Sequence, residues 1–235
     1  MAEAPVLRLT NVRKSYSALR PLRINDLVVA PGDRVALSGL DAGAAEVFVN
    51  LVTGASVPDE GDVHVQGQST AAIADGDQWL ASLDRFGIVS PRAVLLDAAT
   101  LLQNLSMPIT LQIDPVPPQA AAAATALARD AGIDAAYLDR PVAGLPPAVQ
   151  MRAHLVRAVI LGPALLILEH PTATLDKGDG KAFGEAVARV AGARSLATVI
   201  ISEDDRFSDA AASRRLALHA ASGDLKPQRR RYFGF

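Results

Sequence analysis

Residues 37–54 read LSGLDAGAAEVFVNLVTG, and this stretch sets the frame for the whole chain. The apolar run RVALS enters Gly39, and a segment with helical spacing, AEVFVNLVTG, follows and stops at Gly54. That is the outline of a phosphate-binding loop, whose pattern G-x-x-x-x-G-K-[ST] requires Gly, Lys and a hydroxyl residue after the gap. Here those places hold Ala44, Ala45 and Glu46. The frame is present, but the residues that would touch a nucleotide are replaced.

Outward from this stretch the chain alternates strands and helices. Pro31-Gly32-Asp33 is a turn ahead of RVALS, and residues 6–9 and 23–29 alternate as half-buried strands do. PDEGDVHVQG reads as turn, short strand, turn, and FGIV at 86–89 is another short strand. From Ala99 to Leu161 helix formers dominate, broken by IDPVPPQ, and QAAAAATALARDAG predicts a helix ending at Gly132. After Pro163 come ALLILE, the helix GKAFGEAVARVAG, LATVIIS and RRLALH. The pattern predicts an α/β fold: a parallel-sheet core at about residues 1–95 and 161–225, an inserted helical subdomain at about 95–160, and a basic, aromatic tail at 226–235.

Composition narrows the function. With 235 residues, half of them hydrophobic, the chain can bury a sizeable core. A net charge of −2 provides no global attraction to nucleic acid, so no nucleic-acid partner is expected. The lack of cysteine excludes disulfides and thiolate zinc sites. MAEAPVLRLTNVRKSY is not a signal peptide, and the longest apolar run, AVILGPALLIL, is too short to span a bilayer. A soluble protein is expected, with any membrane link made through a partner.

Over roughly residues 6–225 the chain resembles the ATP-binding cassette family, the nucleotide-binding subunits of ABC transporters. Six stations carry the resemblance, in order: Tyr16 ahead of PGDRVALSG, where the adenine-stacking aromatic lies; the loop and helix at 37–54; PDEGDVHVQG; FGIVSPRAVLLDAATLLQNLSMP, like the Q-loop stretch; AGLPPAVQMRAHLVRAVILGPALLILEHPTATLD, like the signature helix, Walker B strand and D-loop; and ATVIISEDD, like the switch strand. LLQNLSMP is similar to the short cassettes of lipoprotein-release and macrolide-type exporters. The fold implied is a P-loop NTPase-like cassette.

The resemblance also identifies which positions have changed. In the nucleotide loop Gly39 and Gly43 remain, Ala42 and Ala44 replace glycines, Ala45 stands for the Lys, Glu46 for the Mg²⁺-holding hydroxyl, and Val47 follows. Pro91 replaces the Q-loop glutamine, Glu169 the Walker B aspartate, His170 the water-polarising glutamate and Glu203 the switch histidine. The signature L-S-G-G-Q reads Leu145, Pro146, Pro147, Ala148, Val149. Only Tyr16 and the D-loop-like Leu175-Asp176 are intact. The family uses ATP and Mg²⁺; this chain is expected to hold neither, so that Tyr16 and residues 39–47 form a vestigial site and Glu169 a vestigial metal position. Glu46 would add about 4 kcal/mol of like-charge repulsion beside a phosphate ~4 Å away at an effective dielectric of 20.

Plainer roles exist for the same residues. Tyr16 can pack on the sheet edge, Glu169 can be salt-bridged, and Glu46 gains about 0.3–1 kcal/mol in a helix first turn. Without a γ-phosphate His170 has nothing to act on. The expected function is a structural or regulatory pseudo-ATPase, a peripheral subunit on the cytoplasmic face of a membrane that pairs with a permease, a complete cassette or both. The alternatives are an active ATPase with unorthodox ligands, for which the neighbouring sequence offers no replacement cation, and a free scaffold. The basic tail can be a solvated end or an anchor to anionic surfaces.

Overall fold

The computed structural model describes residues 4–176 and 178–228. In chain order the first elements are β1 (Leu7–Lys14), β2 (Leu22–Val29), β3 (Arg34–Ser38), α1 (Ala42–Val52), β4 (Glu60–Val65) and β5 (Gln68–Ser69). Next come α2 (Gly76–Ser82), β6 (Phe86–Val89), α3 (Leu101–Ser106), α4 (Pro118–Asp130) and α5 (Pro147–Val159). The chain closes with β7 (Leu165–Glu169), α6 (Asp179–Gly192), β8 (Ala197–Ile201), α7 (Asp205–Ala211), β9 (Arg214–His219) and β10 (Asp224–Pro227). Residues 229–235, most of the expected tail, lie outside the described residues.

Two sheets form. The larger has the order β10-β9-β3-β8-β7-β6, parallel except for β10. The expected core strands at 34–38 and 165–169 therefore share one sheet, and the helices α3, α4 and α5 are inserted between its strands β6 and β7. The half-buried strands near the N-terminus do not join it. They form a separate antiparallel sheet, β2-β1-β4-β5. β1 also runs on to Lys14, past the polar residues that end its alternation, because a register shift between Thr10 and Arg13 and a left-handed Asn11 (φ 50) absorb the irregularity.

The period of two in the parallel strands divides the interior. On β7, Leu165 and Ile167 face α1 and the antiparallel sheet, whereas Leu166 and Leu168 face α5, α6 and the inserted helices. β8 repeats the pattern with Val199 and Ile201 on one side and Ile200 on the other. Burial on both faces is why LLILE and ATVII carry no alternating polar residue. Gly87 on β6 lets α5 approach closely, since a Cβ there would sit 2.1 Å from the Ala158 carbonyl oxygen. Fully buried Asn104 joins α3 to the preceding loop, accepting from Leu96 N–H and donating to the Leu96 and Thr100 carbonyls.

Candidate functional site

At the carboxyl end of β3 the chain turns into α1 in three residues. Gly39 (φ 86) makes the turn, and it passes so close to β9 that a Cβ would meet the Leu218 carbonyl oxygen at 2.7 Å. Asp41 then caps the helix: its Oδ1 accepts from Ala44 N–H at 2.8 Å, and its carbonyl accepts from Ala45 N–H at 2.8 Å. The helix therefore starts at Ala42, three residues before the stretch of helical spacing AEVFVNLVTG at 45–54. A phosphate loop leaves such N–H groups for its ligand; here protein oxygens take them. Gly39 N–H is taken as well, by Glu203 Oε1 at 2.6 Å from the end of β8.

One turn into α1, Ala45 is fully buried in the core and the next residue, Glu46, is more than half exposed. The guanidinium of Arg92, from the loop after β6, stands between Glu46 and Glu169. Its Nη1 and Nη2 donate to Glu169 Oε1 and Oε2 at 3.2 and 2.6 Å, and Nη1 lies 3.8 Å from Glu46 Oε2. The Glu169 side chain is 3% exposed, at the end of a strand with no other polar residue. A buried carboxylate without a partner costs several kcal/mol, so the fork of Arg92 is what makes it tenable there. Among the described residues no three His, Cys, Asp or Glu side chains gather into a group able to hold a metal.

Tyr16 lies against the first turn of α1, where a Cβ on Gly43 would be 3.4 Å from the ring. Burial, and after it the charge of Asp41, push the Tyr16 phenol above its ordinary value. The loop bearing Tyr16 is held by Asp59, whose Oδ2 accepts from Ser15 N–H at 2.7 Å and whose Oδ1 faces Lys14 at 3.1 Å. The Ser15 N–H, and then Lys14, lower the Asp59 carboxyl to about 2 from an ordinary 3.8. A depressed carboxyl stabilises the fold above its unfolded value and loses that contribution as pH falls through the folded one. Tyr16 ring contacts followed by NMR should therefore hold at neutral pH and loosen as the pH drops from about 4 toward 2, a transition that Asp59→Asn should abolish.

The other positions lie apart from this cluster. His170 ends β7 with φ 43, donates its N–H to Ile201 O at 2.8 Å, and keeps its buried Nε2 without a partner. Pro91 lines a cleft of about 280 Å³ with Ser90, Ala93, Pro147 and Gln150, so the loop after β6 faces the start of α5. There Leu145 and Val149 point inward, Pro146 and Pro147 provide no N–H, and the Gln150 side chain donates to Leu145 O at 2.9 Å.

Sequence reading missed Arg92. The replacement cation absent from residues next to Ala45 is present in space, brought from the position after Pro91. One carboxylate gave the available signal: Glu169, closing an apolar strand, requires a nearby positive charge.

The frame is that of a nucleotide-binding cassette. MJ0796, solved as a dimeric bacterial ABC transporter cassette, superposes with a TM-score of 0.74 at 19% identity over 97% of this chain and all of that one. The cbiO1 protein of Clostridium perfringens, part of the ABC transporter complex cbiONQ, gives 0.79 at 17% identity over 95% and 88%. No family model matches the chain. In sequence it is 27% identical over 208 residues to the lipoprotein-releasing system ATP-binding protein LolD of Pseudomonas syringae pv. tomato, covering 87% of this chain and 91% of that protein. It is 29% identical over 232 residues to the Fe(3+) ions import ATP-binding protein FbpC of Serratia marcescens, covering 93% of this chain and 64% of that protein. Its relatives in sequence and its neighbours in structure are alike ATP-binding cassettes of transporters, and the chain is similar to both. None of its helices, among the described residues, is long and apolar enough to cross a membrane.

Proposed function

We propose that this chain is the cassette subunit of a transport complex whose nucleotide place is closed by its own side chains, leaving a structural or regulatory role. The observation that carries this reading is the Arg92 guanidinium between Glu46 and Glu169. The Glu46 charge is already engaged, so simple repulsion of phosphate overstates its effect. The larger obstacle is that ATP·Mg²⁺ would have to displace Arg92 from a buried carboxylate, at a cost on the order of 3–5 kcal/mol. The lost Lys adds roughly 1.5–3 kcal/mol. The residues at this place do not fit ATP·Mg²⁺, and no hydrolytic step is assigned to them. The competing reading, an active ATPase with Arg92 in place of the Lys, is disfavoured because that guanidinium is committed to Glu169.

The partner face in this reading is the groove between the strand core and the inserted helices. It holds a cavity of about 280 Å³ bordered by Val94, Pro108, His154, Arg157 and Leu161, with Val94 and Leu161 largely exposed. Arg157 fixes its near wall by donating to Val94 O at 2.7 Å. A permease segment with an apolar tip would fill it, and attachment there places the chain on the cytoplasmic face of a membrane. The near-complete length match to LolD favours a permease served by short cassettes of the lipoprotein-releasing kind.

Affinity purification from detergent-solubilised membranes tests this reading. A multi-span permease should co-purify in equal amount with and without ATP·Mg²⁺. Full recovery in the soluble fraction without a permease would leave the free scaffold instead.

A further inference from the structure

On the far side of α1 from the site lies a cavity of about 430 Å³. Its walls come from the end of α1, the β4–β5 turn, α2 and the start of β6, and they are mainly apolar: Val52, Val65, Ile73, Ala81 and Phe86. A neighbouring space of about 350 Å³ shares Thr70 and Ile73 with it. The helix α2 contributes no buried residue, so it covers these spaces without filling them.

Most polar groups around the cavity are already engaged. The Thr53 hydroxyl donates to Val49 O, the Ser82 hydroxyl donates to Trp79 O, Ser69 Oγ accepts from Ala71 N–H, and Gln78 Oε1 accepts from Ala74 N–H. Two remain. The Thr70 hydroxyl is buried without a partner, on a residue only 6% exposed. Arg85 is the one charged lining residue; it donates from Nη1 to Gln68 Oε1 at 2.7 Å and has no carboxylate partner among the described residues. A buried hydroxyl left unpaired requires an explanation, and an apolar cavity with a few convergent polar groups is the usual form of a small-molecule site.

We infer that this cavity binds a small monocarboxylate with an apolar body. The carboxylate pairs with Arg85, and a second hydrogen-bonding group meets the Thr70 hydroxyl. Gln68, which holds Arg85, is two residues before Thr70, and all three residues line the cavity. A para-hydroxylated aromatic acid carries one group of each kind on an apolar ring. This site is independent of the nucleotide place and of the transport reading.

The single tryptophan, Trp79, provides the probe, because its indole N–H donates at 3.1 Å to the carbonyl of Thr53 on the cavity wall. Titrating the full chain with 4-hydroxyphenylacetate should move the indole ¹⁵N–H resonance saturably at millimolar concentrations or below. The neutral 4-hydroxyphenylacetamide should bind about tenfold more weakly, as should the acid to Arg85→Gln, while Arg85→Lys should retain binding. Thr70→Val should remove the preference for the hydroxylated acid over phenylacetate. No saturable shift, equal binding of the amide, or undiminished binding to a folded Arg85→Gln would overturn the inference. The amide comparison decides the matter even if that variant does not fold.

Discussion

Replacing Arg92 with alanine should lower the unfolding free energy by about 2–4 kcal/mol, although Arg92 is half exposed and lies on a loop. The loss comes from the residue left behind. Glu169 is buried between strands, and without Arg92 its charge faces an apolar interior. For a chain of this length the loss corresponds to a fall in Tm of roughly 5–10 °C. A second change separates a buried-charge effect from lost packing. Glu169→Met in the Arg92→Ala background should restore most of the stability, because exchanging a buried ion pair for apolar groups is close to neutral. Arg92→Ala within about 0.5 kcal/mol of the parent would show that Glu169 finds another partner.

The second large effect is an absence of response to nucleotide. A cassette with micromolar affinity gains about 4 kcal/mol at a thousandfold excess of ATP·Mg²⁺, whereas this chain should show no thermal shift. The combined obstacles correspond to a loss in affinity on the order of 10³–10⁶. Restoring the motif residues alone should not repair it. In Ala45→Lys with Glu46→Ser, the new ammonium would enter a fully buried position, while Arg92 stays on Glu169 and Asp41 still caps the helix. That double variant should be less stable than the parent and equally silent to ATP. A shift of several degrees in either protein would mean that the loop N–H groups can be released at little cost.

The fold was largely readable from the sequence because its signals are local. The runs RVALS, LLILE and ATVII announce buried strands, and the order of motifs places helices between them. The separate antiparallel sheet was not readable, since alternation in residues 6–9 and 23–29 shows a half-buried strand without identifying its neighbours. The site was readable only as a set of substitutions. Its replacement contacts join residues 77 apart in Arg92–Glu169 and 164 apart in Gly39–Glu203, and no periodicity encodes such pairs. The early start of α1 had a visible signal, Asp41 three residues before Ala44, but the phosphate-loop frame drew the helix start further along the chain.

The way these substitutions interlock bears on the history open to this chain. Lysine at 45 must enter a filled core, histidine at 203 leaves the Gly39 N–H without its carboxylate, and loss of Arg92 strands Glu169. Each of these changes, made singly, weakens the protein before any nucleotide could reward it. On the proposed reading, a nucleotide-binding place is therefore separated from this chain by a valley several mutations wide, and single steps towards it are turned back, as a ratchet blocks one direction.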